Sequence, residues 1–290
     1  MKVLLLGADT TLGLALHAHL VHWGRHEVIP LGLTASRWKS ERQAKKAVRR
    51  ADCDVVVDLR IKAAADTGEI IGVADLERSK WLAKTCNRSG EIYVYLSSSR
   101  VFAGHASRLY TELDAPDNES TLGRLLQQAE QFVLNRCERH IVLRMGPTFS
   151  HRGVNILTHL LEQLLQNGHL HLDNQVRGCP VEASDAARVI AAVIDQLSTG
   201  VQPWGIFHYC SNDPTNWYEF GESLLASASQ FSQFDDHAVE LECPPAPPDV
   251  ASRMLECSKI RDYFAIKQVP WRGFIGDSVK QYFEQQSAES

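Results

Sequence analysis

A chain of 290 residues, 44% of them hydrophobic, is long enough to bury a large core without disulfides. Its formal net charge of −5 and pI near 6.2 argue against a nucleic-acid surface. The seven cysteines are odd in number and widely spaced, with no CxxC pair and no nearby histidine cluster, so they read as free thiols of a reducing compartment and no metal site is expected.

The opening apolar run Val3-Leu4-Leu5-Leu6 stops at Gly7, too early for a signal-peptide core or a membrane span. A cytoplasmic protein without membrane contact is expected. Strands are predicted at residues 2–6, 27–31, 54–58, 92–96 and 140–144, as near-continuous apolar runs that suit strands covered on both faces. Helix-period segments at 12–23, 37–50, 72–87, 120–137 and 154–167 alternate with them. That alternation predicts an α/β fold, a Rossmann-like doubly wound parallel sheet. In the 37–50 segment Arg42, Lys45, Lys46 and Arg49 share one helical face while Ala44, Ala47 and Val48 turn away, which reads as a solvated face.

Past residue 150 the punctuation changes, with Pro and Gly at 178–180, 203–205 and 244–248. Helices are expected at 184–198 and 214–228, a strand at 206–209, and a frayed end from Gln285 to Ser290. The chain thus changes character near residue 150, between a first part at 1–150 and a second over 151–290.

Gly7-Ala8-Asp9-Thr10-Thr11-Leu12-Gly13 follows the first strand and opens the first helix, where backbone amides and the helix dipole can hold a pyrophosphate. Gly7, Asp9, Thr10, Thr11, Leu12 and Gly13 are therefore candidate cofactor contacts. A GxxGxxG loop would place glycine at position 10, and Thr10 brings a β-branched side chain to a point of close backbone approach. Such turns also occur in folds that bind no nucleotide. Gly32-Leu33-Thr34 offers no carboxylate for a ribose 2′-hydroxyl, so NAD lacks support here. Arg37 could pair with the 2′-phosphate of NADP, or it is a surface arginine at a helix start.

Leu96-Ser97-Ser98-Ser99-Arg100-Val101-Phe102-Ala103-Gly104, followed by Tyr110-Thr111-Glu112-Leu113-Asp114-Ala115-Pro116, resembles the S-T-D-Y-V-F-D-G and Y-x-E-x-D-x-P patterns of the extended short-chain dehydrogenase/reductase family, in its dTDP-4-dehydrorhamnose reductase (RmlD-like) branch. Gly178-Cys179-Pro180-Val181 resembles that branch's G-S-P-T turn. Gly205-Ile206-Phe207-His208-Tyr209 and Trp217-Tyr218-Glu219-Phe220 resemble its G-x-Y-H strand and S-W-Y-x-F helix. Arg253 to Ile260 and Pro270-Trp271 resemble its S-x-L-x-x-x-K-L and P-x-W elements, so the likeness covers nearly the whole chain.

The resemblance implies an NADP- or NAD-binding Rossmann domain at 1–150 and, over 151–290, mainly a smaller substrate-binding lobe for a nucleotide sugar, its segments interleaved with the Rossmann sheet, with Ser or Thr, Tyr and Lys performing ketone reduction. Ser98 matches the first role. Counted from Asp114, the tyrosine and lysine positions are Leu122 and Leu126, four apart on one helix face. Asp58-Leu59-Arg60-Ile61 stands where the cofactor-facing pattern is N-A-A-A, so Asp58 and Arg60 are further cofactor candidates, and Arg60 could instead fill the cofactor space. Ser99 and Arg100 replace an Asp-Tyr pair. Asn155, Arg177, Val181, Trp217 and Arg253 are the candidate substrate contacts, with Trp217 alternatively a core residue.

Loss of the acid and its lysine removes roughly 10²- to 10⁴-fold of general acid catalysis and more. The first reading is thus a ligand-binding, regulatory or scaffold member of the family, with a nucleotide sugar, a protein partner or a second copy as possible partners. The second is an active NAD(P)H-dependent oxidoreductase with a relocated proton donor, for which Tyr93, Tyr95 and Tyr110 are the nearest phenols. The third is an interaction module without a ligand.

Overall fold

The computed structural model describes residues 1–105, 108–231, 240–245 and 251–289. Its elements in chain order are β1 (Lys2–Leu6), α1 (Thr11–Trp23), β2 (Glu27–Leu31), α2 (Glu41–Ala51), β3 (Val55–Asp58), α3 (Arg60–Thr67), α4 (Val73–Ser89), β4 (Ile92–Ser98), α5 (Thr121–Arg136) and β5 (His140–Met145). After them come β6 (Thr148–Phe149), α6 (Ile156–Asn167), β7 (His169–His171), β8 (Val176–Arg177), β9 (Val181–Glu182), α7 (Ala183–Ser198), β10 (Gly205–Tyr209), α8 (Trp217–Ala228), β11 (Glu240–Glu242), β12 (Ala251–Ser252), α9 (Ser258–Phe264) and α10 (Arg272–Glu289).

Six parallel strands form the main sheet in the order β10-β5-β4-β3-β1-β2. The chain leaves β1 for the edge at β2 and returns to β3 on β1's other side. The carboxyl ends of β1 and β3 therefore flank a switch point, the place where a doubly wound sheet opens a crevice. Helices α1 and α7 pack together on one face, and α2, α4 and α5 on the other. Residues Val3 to Leu6 and Val55 to Val57 are fully buried, as two covered faces require. β2 is an edge strand, which is why it tolerates Pro30.

A second apolar cluster gathers Phe149 of β6, Leu157, Leu161 and Leu164 of α6, Phe220 and Leu224 of α8, Val279 of α10, and Trp271 just before α10. Helix α7, β10 and α9 lie between these segments in sequence, yet pack into the main core.

Three expectations need correction. Helix α2 starts at Glu41, after Ser40 in extended conformation, so Arg37 lies in the preceding turn; Arg42, Lys45, Lys46 and Arg49 are exposed as expected. The tail does not fray at Gln285, because α10 continues to Glu289, held by buried Ile275, Val279, Tyr282 and Phe283 at helical spacing. Helix α3 was not foreseen. The expected punctuation at 244–248 lies outside the described residues from 246 onward. Among the described residues no helix is long and apolar enough to cross a membrane.

Candidate functional site

The crevice begins at the turn between β1 and α1. Gly7 takes φ +80°, a conformation that favours glycine, and its amide donates to Leu31 O at 2.8 Å. Gly13 packs so closely beneath it that a Cβ would come within 2.0 Å of Gly7 O. Thr10 caps α1: its hydroxyl accepts from Gly13 N at 3.1 Å and donates to Gly7 O at 2.7 Å. The hydroxyl thus ties the turn closed where the expected glycine would leave open backbone. The amides of Thr11 and Leu12 have no acceptor among the described residues and stand at the positive end of α1. Thr11 also donates to Val154 O at 3.3 Å, and a Cβ on Gly153 would approach Thr11 Oγ1 to 2.7 Å, so the loop before α6 reaches over this helix start. Asp9 turns toward β2, accepting from Leu33 N at 2.8 Å, against Gly32.

Asp58 is placed beneath the crevice and is fully buried. Arg60 binds it through two parallel contacts, Nε to Oδ1 at 2.8 Å and Nη2 to Oδ2 at 2.7 Å, and Tyr93 donates to Oδ2 at 2.8 Å. Burial alone would raise the Asp58 pKa, but the Arg60 charge and these hydrogen bonds outweigh it and hold the carboxyl below its ordinary range. Arg60 also lies 5.6 Å from the Trp38 ring. Contrary to expectation, then, neither Asp58 nor the Arg60 fork is directed at the crevice, because they bind each other. Arg37 is exposed and joins Arg60 and Arg78 around a small hollow of about 80 Å³.

At the end of β4, Ser98 is 1% exposed and its hydroxyl accepts from Arg100 N at 3.2 Å. Helix α5 starts at its cap Ser120, whose hydroxyl accepts from Gly123 N at 3.1 Å. A Cβ on Gly123 would meet Asn118 O at 2.3 Å, so this turn docks tightly and fixes the helix register. In that register Leu126 is fully buried in the main core, and Leu122 packs half-buried against it. The three nearby phenols are engaged or sealed. Tyr93 serves Asp58, Tyr95 is fully buried, and Tyr110 stacks on Phe102 at 4.0 Å with its hydroxyl accepting from Gly104 N. Burial pushes the Tyr93 and Tyr95 phenols well up, away from proton donation.

One turn beyond Leu126, Glu130 is 1% exposed and accepts from Ser97 Oγ at 2.5 Å and from Arg144 Nε and Nη2 at 3.0 and 2.7 Å. Sheet register sets Ser97, Arg144 and His208 side by side on β4, β5 and β10. Arg144 Nη1 reaches His208 Nε2 at 3.4 Å, and His208 Nδ1 faces Tyr110 O at 3.1 Å, an arrangement satisfied by the neutral Nδ1–H tautomer. Burial first, and the Arg144 charge second, pull the His208 pKa down to about 3.

The unfolded chain thus takes up this proton near pH 6.5 while the folded chain resists until about pH 3, so stability from neutral His208 is complete above about 6.5 and lost on acidification. Across that window the slope from this group is expected to approach about 1.4 kcal/mol per pH unit. Denaturant titrations of wild type and His208→Gln at pH 4 to 7 would show it as a diverging difference. Parallel curves would refute it.

Between the two apolar clusters lies a cavity of about 440 Å³. Four predicted ligand residues line it, Asn155, Arg177, Trp217 and Arg253, together with the unforeseen Asp66, Arg100, Thr148 and Asp173. Arg177 pairs with Glu219 at 3.1 Å. Trp217 lies half-buried at the edge of the second cluster, its ring edge-on to Phe220. Arg253 Nε donates to Phe102 O at 2.9 Å. Asn155 is a capping residue: its carbonyl accepts from Leu157 N and Ser150 N, and its amide donates to Arg152 O and Gly153 O. Val181 does not belong to the cavity wall, being 1% exposed within β9, where it pairs with Thr148 of β6.

A parallel sheet with a glycine turn at its switch point, an α5 helix aligned on the end of β4, and a small lobe walling a cavity above them make up the fold of the extended short-chain dehydrogenase/reductase family. The chain belongs to the family described as RmlD substrate binding domain, whose model matches residues 1–284. It is 26% identical over 232 residues to the spore coat polysaccharide biosynthesis protein SpsK of Bacillus subtilis, covering 77% of this chain and 78% of that one. The fold is similar to a dTDP-4-dehydrorhamnose reductase from Clostridium acetobutylicum, with TM-score 0.77 and 20% identity over 99% and 100% of the two chains. It is also similar to the dTDP-4-dehydrorhamnose reductase of Bacillus anthracis in complex with NADP, with TM-score 0.79 and 15% identity over 97% and 99%.

Proposed function

We propose that this chain is an NAD(P)- and nucleotide-sugar-binding member of its family that lacks reductase activity and acts as a ligand-binding, regulatory or scaffold protein. The observation that carries this reading is Leu126 buried in the main core with Leu122 packed half-buried against it, at the two positions that the resemblance, counted from Asp114, assigns to the tyrosine and lysine. Aliphatic side chains give no proton. Relocation of the donor finds no support, since Tyr93, Tyr95 and Tyr110 do not line the cavity and Ser98 is sealed against its own turn.

The diphosphate of a dinucleotide fits the β1–α1 turn. The free amides of Thr11 and Leu12 would hold it, and Gly7 and Gly13 keep the backbone bare. When bound, such a cofactor supplies hydride. In the cavity, Arg177 and Arg253 offer forks to phosphate oxygens and Trp217 offers a ring edge beside them. The NADP complex of the similar Bacillus anthracis reductase supports the cofactor assignment.

Calorimetric titration of the full chain with NADPH, NADH and dTDP should give binding heats for dTDP and for at least one dinucleotide. A steady-state assay with NADPH and dTDP-4-dehydrorhamnose should show no turnover above buffer. Turnover of about 1 s⁻¹ or more, the range of ordinary enzymes, would overturn the loss of activity. Absence of every binding heat would leave a ligand-free interaction module.

A further inference from the structure

The cavity carries more positive charge than its own residues balance. Arg177 is neutralised by Glu219, and the buried Lys62 behind the wall by Asp66. Arg100 and Arg253 have no such partner. Arg100 is tied by Nη1 to Ala65 O at 2.7 Å, and Arg253 by Nε to Phe102 O at 2.9 Å, both neutral carbonyls. Among the described residues no carboxylate lies within 4.0 Å of either guanidinium. Asp173 and Asp117 act on Arg253 only from farther away, and burial, then the Arg100 charge, push the Arg253 pKa down. Each fork therefore keeps unused donors at the cavity wall, held by one anchor apiece, with two like charges close enough to repel.

Such an arrangement is unfavourable in the empty protein and becomes favourable around an anion, since a planar guanidinium matches paired oxygens. We propose that Arg100 and Arg253 together form an oxyanion subsite that grips one anionic group of the ligand, either its diphosphate or a carboxylate on its sugar ring. The subsite rests on the nucleotide-sugar reading for its ligand, and Arg100, which stands where the family pattern has tyrosine, is what this chain adds.

The test is thermal shift and calorimetry on the full chain, Arg100→Gln and Arg253→Gln at low salt, with inorganic pyrophosphate, glucuronate and dTDP as separate probes. The glutamines keep an amide donor for Ala65 O and Phe102 O, and Arg100→Lys keeps the charge without the fork. Pyrophosphate affinity should fall at least about tenfold in either glutamine variant, and less in Arg100→Lys, if the group is a diphosphate. If the group is a carboxylate, glucuronate shows that loss and pyrophosphate does not. Without ligand, the glutamine variants should melt no lower than wild type, because one of two repelling charges is gone. Equal binding of both anions to wild type and to both glutamine variants, or none to wild type, would overturn the subsite. dTDP separates the two claims: failure of dTDP to bind wild type while the arginine-dependent anion effect persists would sink the nucleotide reading alone.

Discussion

Leu126→Lys, which would set a lysine where the resemblance to the family motif implies one, is expected to destabilise the chain by about 3–5 kcal/mol. Leu126 is fully buried on the face of α5 that packs into the main core. The nearest buried carboxylate along that face, Glu130, is already bound by Arg144 and Ser97. A new ammonium there loses its water and gains no free partner. Leu126→Met, matched in volume, should cost less than about 1.5 kcal/mol, which isolates the charge from the shape. The sign with pH is also fixed. Burial lowers the new lysine's folded pKa below its unfolded value near 10.4, so the unfolded chain binds the extra proton and the loss shrinks as pH rises toward about 10. Urea midpoints of the two variants at pH 7 and 9 would check both points. A Leu126→Lys protein as stable as Leu126→Met would mean that position 126 opens onto the crevice, and the buried aliphatic packing that supports a loss of activity would fall.

Much of this was readable from the residues. Continuous apolar runs such as Val55-Val56-Val57 set the strands because both faces are covered, and those boundaries differ from the structure by two residues at most. Helix α3 was hidden because it is eight residues long and buries Lys62 alongside Ile61 and Ala65, so no apolar stripe announces it. That omission hid part of the cavity, since Ala65 anchors Arg100 and Asp66 lines the wall. Arg177, Trp217 and Arg253 were visible because their chemistry suits phosphates and bases whatever the fold. Motif position alone points to Asn155 and Val181, and the structure makes the first a helix cap at the cavity wall and the second a strand interior. The Asp58–Arg60 bond was missed because a carboxylate and a guanidinium at a strand end look equally available to a ligand. Only the geometry shows them turned on each other.

Glu130 and Arg144 offer the second large effect. Glu130→Leu alone should cost about 3–5 kcal/mol, because it leaves a guanidinium buried to 1% exposure facing neutral Ser97 and His208, and Arg144→Met alone should cost about as much by leaving the carboxylate. The double variant is expected to recover most of the loss, ending within about 1–2 kcal/mol of wild type, since two apolar side chains can fill the space once neither charge remains. The coupling is therefore large and favourable, while the net contribution of the pair is small. Urea unfolding of all four proteins measures the cycle. The double variant should also keep most of the acid sensitivity of His208, because burial outranks the Arg144 charge in lowering its pKa. Strict additivity of the two single losses would instead show that each residue is held by its own packing, and that Ser97, Glu130, Arg144 and His208 are neighbours rather than one network.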